Sequence, residues 1–276
     1  MTRRQRRTVL SWLFLAPVVI VILFPYLVMI STALKPSDEV FVFPPRWLPS
    51  RLAFENLSAM WVSTGFGRAL MNSLIVGFGQ TLLCILIAIP AAYATARLTF
   101  TGSGLYRQFL LVTQMLSPIV LVIGLFRFIA GLGLIDSLLA LILTGAAFNL
   151  AFAIWMLQSF MATIPREIEE AAWIDGAGRL KSLVLVFLPL AMPALAVTFI
   201  FTFIASWNEF VLALTLLRSA DQATLPLRIF TLVGGAYRVE WQQVMAATTL
   251  STLPVALIFA VLQRRLVSGL ALGAVK

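Results

Sequence analysis

Residues 169–178 read EEAAWIDGAG, a charged, small-residue stretch between two oily runs, 137–165 and 182–208. Neither run contains an Asp, Glu, Lys or Arg. A helix crosses the hydrocarbon of a bilayer with about 20 apolar residues, so each run is long enough to span. The polar stretch is then a loop between two membrane helices. Pro165 suits the first turn, where its missing N–H costs nothing. Glu167, Glu169 and Glu170 match the positive end of the helix dipole, and Gly176 supplies a left-handed stop. The spacing predicts a short helix over 165–175. Ile168, Ala171, Ala172 and Asp175 fall near one face at three- and four-residue spacing. A helix this short is marginal alone, so it needs a surface to pack on. An amphipathic helix lying on lipid headgroups is one reading, but such helices are usually basic and this one is acidic. Docking on a soluble partner is the other.

Four more charge-poor runs lie outward from this loop: 8–34, 69–96, 108–126 and 241–263, the third continuing past Arg127 through 128–135. Backbone polar groups in lipid must be satisfied within the segment, so runs of this length are helices. The prediction is an all-α membrane protein of six transmembrane helices in a single domain, 1–276, with a polar loop at 163–181 and a tail at 264–276. Composition agrees. Charged residues are 11% and hydrophobic residues 61%, where soluble domains carry about 25% charged. The first run follows MTRRQRR but exceeds a signal-peptide core of about 7–15 residues and ends without an A-x-A site, so it reads as a retained helix. The Pro-rich segment 35–67 is too short for a domain and reads as an outer-surface loop, its Trp and Phe at the interface.

Orientation follows from Lys and Arg. With the N-terminus in the cytoplasm, twelve of the 20 basic residues face inward, among them Arg3, Arg4, Arg97, Arg107, Arg166, Arg179, Arg264 and Lys276, and seven face outward. Both termini and the polar loop are then cytoplasmic. The net charge of +9 is dispersed between apolar runs instead of forming a patch, which argues against nucleic acid. There is no His, and the one Cys, Cys84, lies in an apolar run and packs. No catalytic constellation and no metal-ligand cluster is legible. The phosphate-binding G-x-x-x-x-G-K-[ST] loop is absent, so the chain is not an ATPase of that kind. No cofactor is expected in this chain.

Intramembrane polar residues usually face a protein interior or a cavity. Gln80, Gln114, Arg127, Asn149, Gln158, Asn208 and Glu209 are the candidates, either lining a solute pathway or joining helices. Pro189 and Pro193 each remove a helical hydrogen bond, so the fifth run is expected to bend.

The segment PREIEEAAWIDGAGRLKSLVLVFLPLAMP, 165–193, resembles the EAA loop of permease subunits of bacterial ABC importers. Glu170, Ala171, Ala172, Gly176 and Leu188-Pro189 carry the pattern. Gly176 stands four residues after Ala172, one more than the basic pattern, and matches the sugar-importer form EAA-x-x-DGA. AAYATARLTFTG (91–102), MNSL (71–74), SWNEFVLALTLL (206–217) and SGLALGAVK (268–276) are similar to carbohydrate-type, maltose-permease-like subunits.

The resemblance implies a type I importer permease whose EAA helix couples to a cytoplasmic ATPase through Glu170, Ala171, Ala172, Asp175 and Gly176. It implies a second permease, an ATPase dimer binding ATP and Mg, and an extracytoplasmic sugar-binding lipoprotein, in the bacterial inner membrane. It implies a disaccharide such as trehalose or a maltose-like sugar. Trp207, Asn208, Glu209 and Asn149 become candidates for lining the pathway, and 269–276 for reaching the ATPase. The usual tail has one Gly more. An ABC importer of another solute, a secondary transporter and a membrane scaffold are the competing readings. A secondary transporter would need an ion-coupling residue near the midplane and usually inverted repeats, neither of which the spans offer.

Overall fold

A computed structural model describes residues 3–98, 100–234 and 239–273, with side chains from 11 to 263 within them. Its regular elements among these residues are all helical. Among the described residues four helices are long and apolar enough to span a membrane, and two sharply bent helix pairs bring the candidates to six. The tail expected over 264–276 lies outside the described side chains, and 274–276 outside the described residues. Helix α13, Trp241–Gly273, runs into this segment.

The chain falls into two compact units. The first, 1–67 with 228–253, holds α1 (Arg3–Ala33), a 3-10 turn (Ser37–Glu39) and α2 (Glu55–Ser63). The segment after α1 is tied back on the helix end by polar contacts. Asn56 Nδ2 donates to the carbonyls of Ala33 at 2.9 Å and Lys35 at 2.8 Å, which satisfies carbonyls the helix end leaves open. Lys35 Nζ donates to the Arg46 carbonyl. Glu39 accepts from Ser50 N at 3.1 Å and Arg46 Nη1 at 3.2 Å. Phe41, Phe43, Trp47 and Leu48 stay exposed. Helix α2 within it was not expected from the sequence.

The second unit, 68–227 with 254–276, contains most of the buried core. It holds α4 (Ser103–Met115), α5 (Pro118–Gly131), α6 (Leu138–Met161), α7 (Arg166–Ile174), α8 (Arg179–Ser182), a π-helical turn (Leu183–Phe187), α9 (Leu188–Leu190), α10 (Met192–Trp207) and α11 (Val211–Leu216). Helices α3 (Phe66–Arg97) and α12 (Leu225–Gly234) begin and end across the unit boundary.

Small residues set the helix crossings, as expected where lipid supplies no hydrophobic drive between helices. A Cβ on Gly77 would sit 2.8 Å from the Phe203 ring, and one on Gly79 would sit 2.8 Å from Ile142 Cδ1. Gln80 is buried, and its Oε1 accepts from Ser206 Oγ at 2.7 Å, joining α3 to α10. A Cβ on Gly145 of α6 would stand 2.2 Å from that same oxygen. The absent side chain at 145 is thus the space Gln80 occupies.

Two spans are sharply bent, one against the sequence expectation and one in line with it. The run expected as one helix over 108–126 breaks into α4 and α5, which meet at 96°. Leu116 and Ser117 are extended, with ψ of 116° and 133°. Ser117 precedes Pro118, and a residue before proline is pushed out of the helical region. Pro118 then starts α5, where its ring is tolerated. The fifth run bends as expected, by 77° between the segment ending at Leu190 and α10. Neither Pro189 nor Pro193 can donate to the carbonyl one turn back. The hydrogen bonds slip to a π-helical turn at Leu183–Phe187, and the bend falls at Ala191.

Candidate functional site

The polar helix α7 is built largely as the sequence suggests. Pro165 precedes it with an extended ψ of 143°, and Glu167 and Glu169 lie in its first turn. Its C-terminus is a complete Schellman motif. Ala177 N donates to the Ala172 carbonyl at 2.9 Å, Gly176 N donates to Trp173 O at 3.0 Å, and Gly176 sits at φ +79°. No atom lies within 4 Å of a Cβ built on Gly176, so the backbone conformation and not crowding requires glycine there.

What holds α7 in place was not legible in the motif. Glu169 is 4% exposed. Its Oε1 accepts from Tyr93 Oη at 2.5 Å, and its Oε2 lies 3.6 Å from Arg97 Nε. Tyr93 and Arg97 are one turn apart on the last stretch of α3, so both point the same way. Arg97 also donates from Nη2 to the Ile164 carbonyl just before α7, and its guanidinium lies 4.8 Å over the Phe187 ring. Tyr93 packs edge-on to the same ring at 5.2 Å. One cluster therefore ties α7 to α3 and to the π-helical turn. Tyr93 and Arg97 lie within AAYATAR, and their i, i+4 polar pairing at a helix end was the available signal.

With Glu169 and the half-buried Ala172 turned inward, the outer face of α7 carries Glu170, Ala171, Trp173, Ile174 and Asp175. Trp173 is 45% and Ile174 86% exposed, and Leu180 beyond the turn is 75% exposed. The face differs from the spacing-based one in that Ala172 turns toward the protein.

The four pathway candidates do not form one cluster. Asn149 Nδ2 donates to Gly145 O at 3.0 Å within α6. Trp207 is buried and stacks on Phe203 at 5.5 Å. Asn208 is exposed. Glu209 Oε1 accepts from Leu212 N at 2.8 Å and so caps α11. Of the other candidates, Gln80 bridges helices, Gln114 reaches the Phe148 carbonyl at 3.5 Å and Arg127 is exposed. Among the described residues no three His, Cys, Asp or Glu side chains gather as metal ligands.

At the opposite end of this unit, Asp136 ties two connections together. Its Oδ1 accepts from Arg218 N at 2.9 Å and Ser219 N at 3.0 Å, and its own N donates to Leu216 O at 2.8 Å. These two backbone N–H groups hold the carboxyl below its usual range. Asn72 Nδ2 donates to the carbonyls of Asp221 and Ala223, and Ser73 Oγ accepts from Leu225 N at 2.7 Å.

Residues 84–271 match the family described as binding-protein-dependent transport system inner membrane component. The chain belongs to this family. It is 39% identical over 229 residues to a putative ABC transporter permease protein of Streptomyces antibioticus, covering 83% of this chain and all of the relative. It is 34% identical over 255 residues to a trehalose transport system permease protein of Mycobacterium tuberculosis, covering 92% of each. Its fold matches the crystal structure of a bacterial ABC transporter involved in import of alginate. The TM-score is 0.80 over 96% of this chain and 98% of that one, at 22% identity. The all-helical permease fold and a multi-pass inner-membrane location follow. The permease is a non-catalytic subunit of its transport system, and ATP hydrolysis belongs to a partner.

Proposed function

We propose that this permease forms half of the translocation pathway of an ATP-driven sugar importer, and that α7 is where a cytoplasmic ATPase docks. The outer face of α7 carries this reading. Its inner side is anchored by Glu169, while Glu170, Ala171, Trp173 and Ile174 are left outward. Large apolar side chains on a short polar helix ask for a protein surface to cover them. Glu170 is the docking acid, Ala171 permits close approach, Ala172 seats the helix, and Asp175 and Gly176 shape its exit. The ATPase dimer binds ATP and Mg, and this chain binds neither. A second permease supplies the other half of the pathway, and an extracytoplasmic binding protein delivers the sugar. Both termini and α7 are cytoplasmic in this reading, which the excess of Lys and Arg on one side supports.

The solute is a disaccharide of the trehalose or maltose class, supported by the 34% identity to a trehalose system permease. Trp207, Asn208, Glu209 and Asn149 line the route at some stage of the cycle. Asn208, already exposed, is the one most open to solute. Uptake of radiolabelled trehalose by cells with and without the chain tests the sugar assignment. Uptake that depends on the chain and is competed by maltose is expected. Chain-dependent uptake of another solute alone would move the assignment to that solute.

A further inference from the structure

Beside the α7 anchor, a cavity of about 570 Å³ opens where α3 ends, α4 begins and α6 gives way to α7. Arg97, Arg107 and Arg166, from three different elements, contribute to its wall, and no carboxylate lines it. Arg97 is already matched in charge by Glu169. Its side chain is 5% exposed, yet its Nε has no hydrogen-bond partner. Among the described residues no acid lies within ion-pair distance of Arg107 or Arg166. Arg107 Nε donates to Ser103 O at 3.3 Å, and its terminal nitrogens carry no protein partner among the described residues. Two guanidinium charges thus face one space with no counter-charge.

The level of this space in the membrane identifies what fills it. Helix α3 has 32 residues, about 48 Å at 1.5 Å each, against roughly 30 Å of hydrocarbon. The helix thus extends about 18 Å beyond the hydrocarbon, and the charge on its last residue, Arg97, puts that end at headgroup level, where a guanidinium is not costly. The cavity wall is mixed, with Ala96, Leu98 and Phe100 beside the arginines. That pairing of cationic forks and apolar surface fits a phosphate diester with a glycerol and acyl chain attached. Guanidinium groups match phosphate oxygens two at a time, and basic pockets between membrane helices hold anionic headgroups. A soluble anion would use the charge and not the apolar wall.

We infer that the cavity walled by Arg97, Arg107 and Arg166 is a binding site for the phosphate headgroup of an anionic phospholipid. This site does not depend on the solute carried or on ATPase docking. It would place one lipid against the residues that seat α7.

The full-length chain, purified in detergent, is titrated separately with dioleoylphosphatidylglycerol, dioleoylphosphatidylcholine or inorganic phosphate, and bound ligand is counted by native mass spectrometry. The wild type is expected to retain phosphatidylglycerol in preference to phosphatidylcholine. Arg107→Gln with Arg166→Gln is expected to weaken that retention about tenfold or more, and each single variant to fall between. Arg51→Gln, in the first unit and outside this cavity, is the control and should leave retention unchanged. A melting curve for each variant confirms folding. Equal retention of both lipids by the wild type overturns the site, as does undiminished phosphatidylglycerol retention by the folded double or single variants. Binding of inorganic phosphate without any lipid preference also overturns the lipid assignment.

Discussion

The hydroxyl of Tyr93 on α3 donates to Glu169 Oε1 on α7 at 2.5 Å, inside a cluster closed by Arg97 and Phe187. A membrane helix and a loop helix are thereby joined through one buried carboxylate. Hydrogen bonds to charged groups contribute about 1.5–3 kcal/mol, enough to fix a nine-residue helix that is marginal alone. Tyr93→Phe is expected to leave membrane insertion intact and to lower sugar uptake by about tenfold through misplacement of α7. Glu169→Gln should lower it similarly, and the two together should be far less than additive. Additive losses in a double-mutant cycle would show that the contact does not transmit position.

Gly176 and Gly145 are needed for opposite reasons. At Gly176 there is open space but φ is +79°. Gly176→Val strains the Schellman turn by roughly 1–2 kcal/mol and should reduce uptake while the membrane core melts normally. Normal uptake would mean that the turn is dispensable.

At Gly145 the backbone is helical, and the obstacle is Gln80. Gly145→Ala forces a buried amide off its bond to Ser206. Overpacking of this kind costs about 1–3 kcal/mol, so the melting temperature in detergent should drop by several degrees. An unchanged melting temperature would mean that α3 and α6 separate freely at this crossing.

The bend at Ala191 follows from Pro189 and Pro193, and it stands directly after the loop that holds α7. Pro189→Ala with Pro193→Ala restores two backbone donors. The expected outcome is a straighter segment and reduced uptake, since motion of α7 would no longer swing α10. Unchanged uptake would remove the bend from the gating path.

The lowered carboxyl of Asp136 gives a pH dependence of stability. Its folded pKa lies below the unfolded value, about 3.9. The stabilisation is therefore present above pH ~4 and is lost as pH falls through the lower folded value. Asp136→Asn keeps a side chain that tolerates φ +62° and removes the charge. The variant should melt a few degrees below wild type at pH 7, and the gap should close below about pH 4. A gap that persisted at low pH would place the effect in shape and not charge.

Much of the fold was legible because lipid imposes length. A charge-free run must be a helix of spanning size, and α6 at Leu138–Met161 lies within the run at 137–165. The break at Ser117–Pro118 was equally present in the sequence, since a residue before proline avoids the helical region. Apolarity alone hides it, because both halves of the run are oily. The EAA stretch gave the place and the ends of α7 through Pro165 and Gly176. It could not say which of two adjacent glutamates faces inward. That depends on where Tyr93 and Arg97 lie, more than 70 residues earlier. The pathway candidates were the least legible. Trp207 and Glu209 satisfy themselves by stacking and capping, and polar residues in lipid serve packing as readily as solute.

The measurement closest to the heart of the proposal is co-purification from the native cells. Tagged wild type and Glu170→Lys are solubilised gently and their partners quantified by mass spectrometry. Glu170 is exposed and makes no part of the α7 anchor, so the variant should insert and keep its second permease. Wild type should bring down an ATPase, and Glu170→Lys should lose most of it. An ATPase retained in full by the variant, or absent from the wild type, would contradict docking at α7.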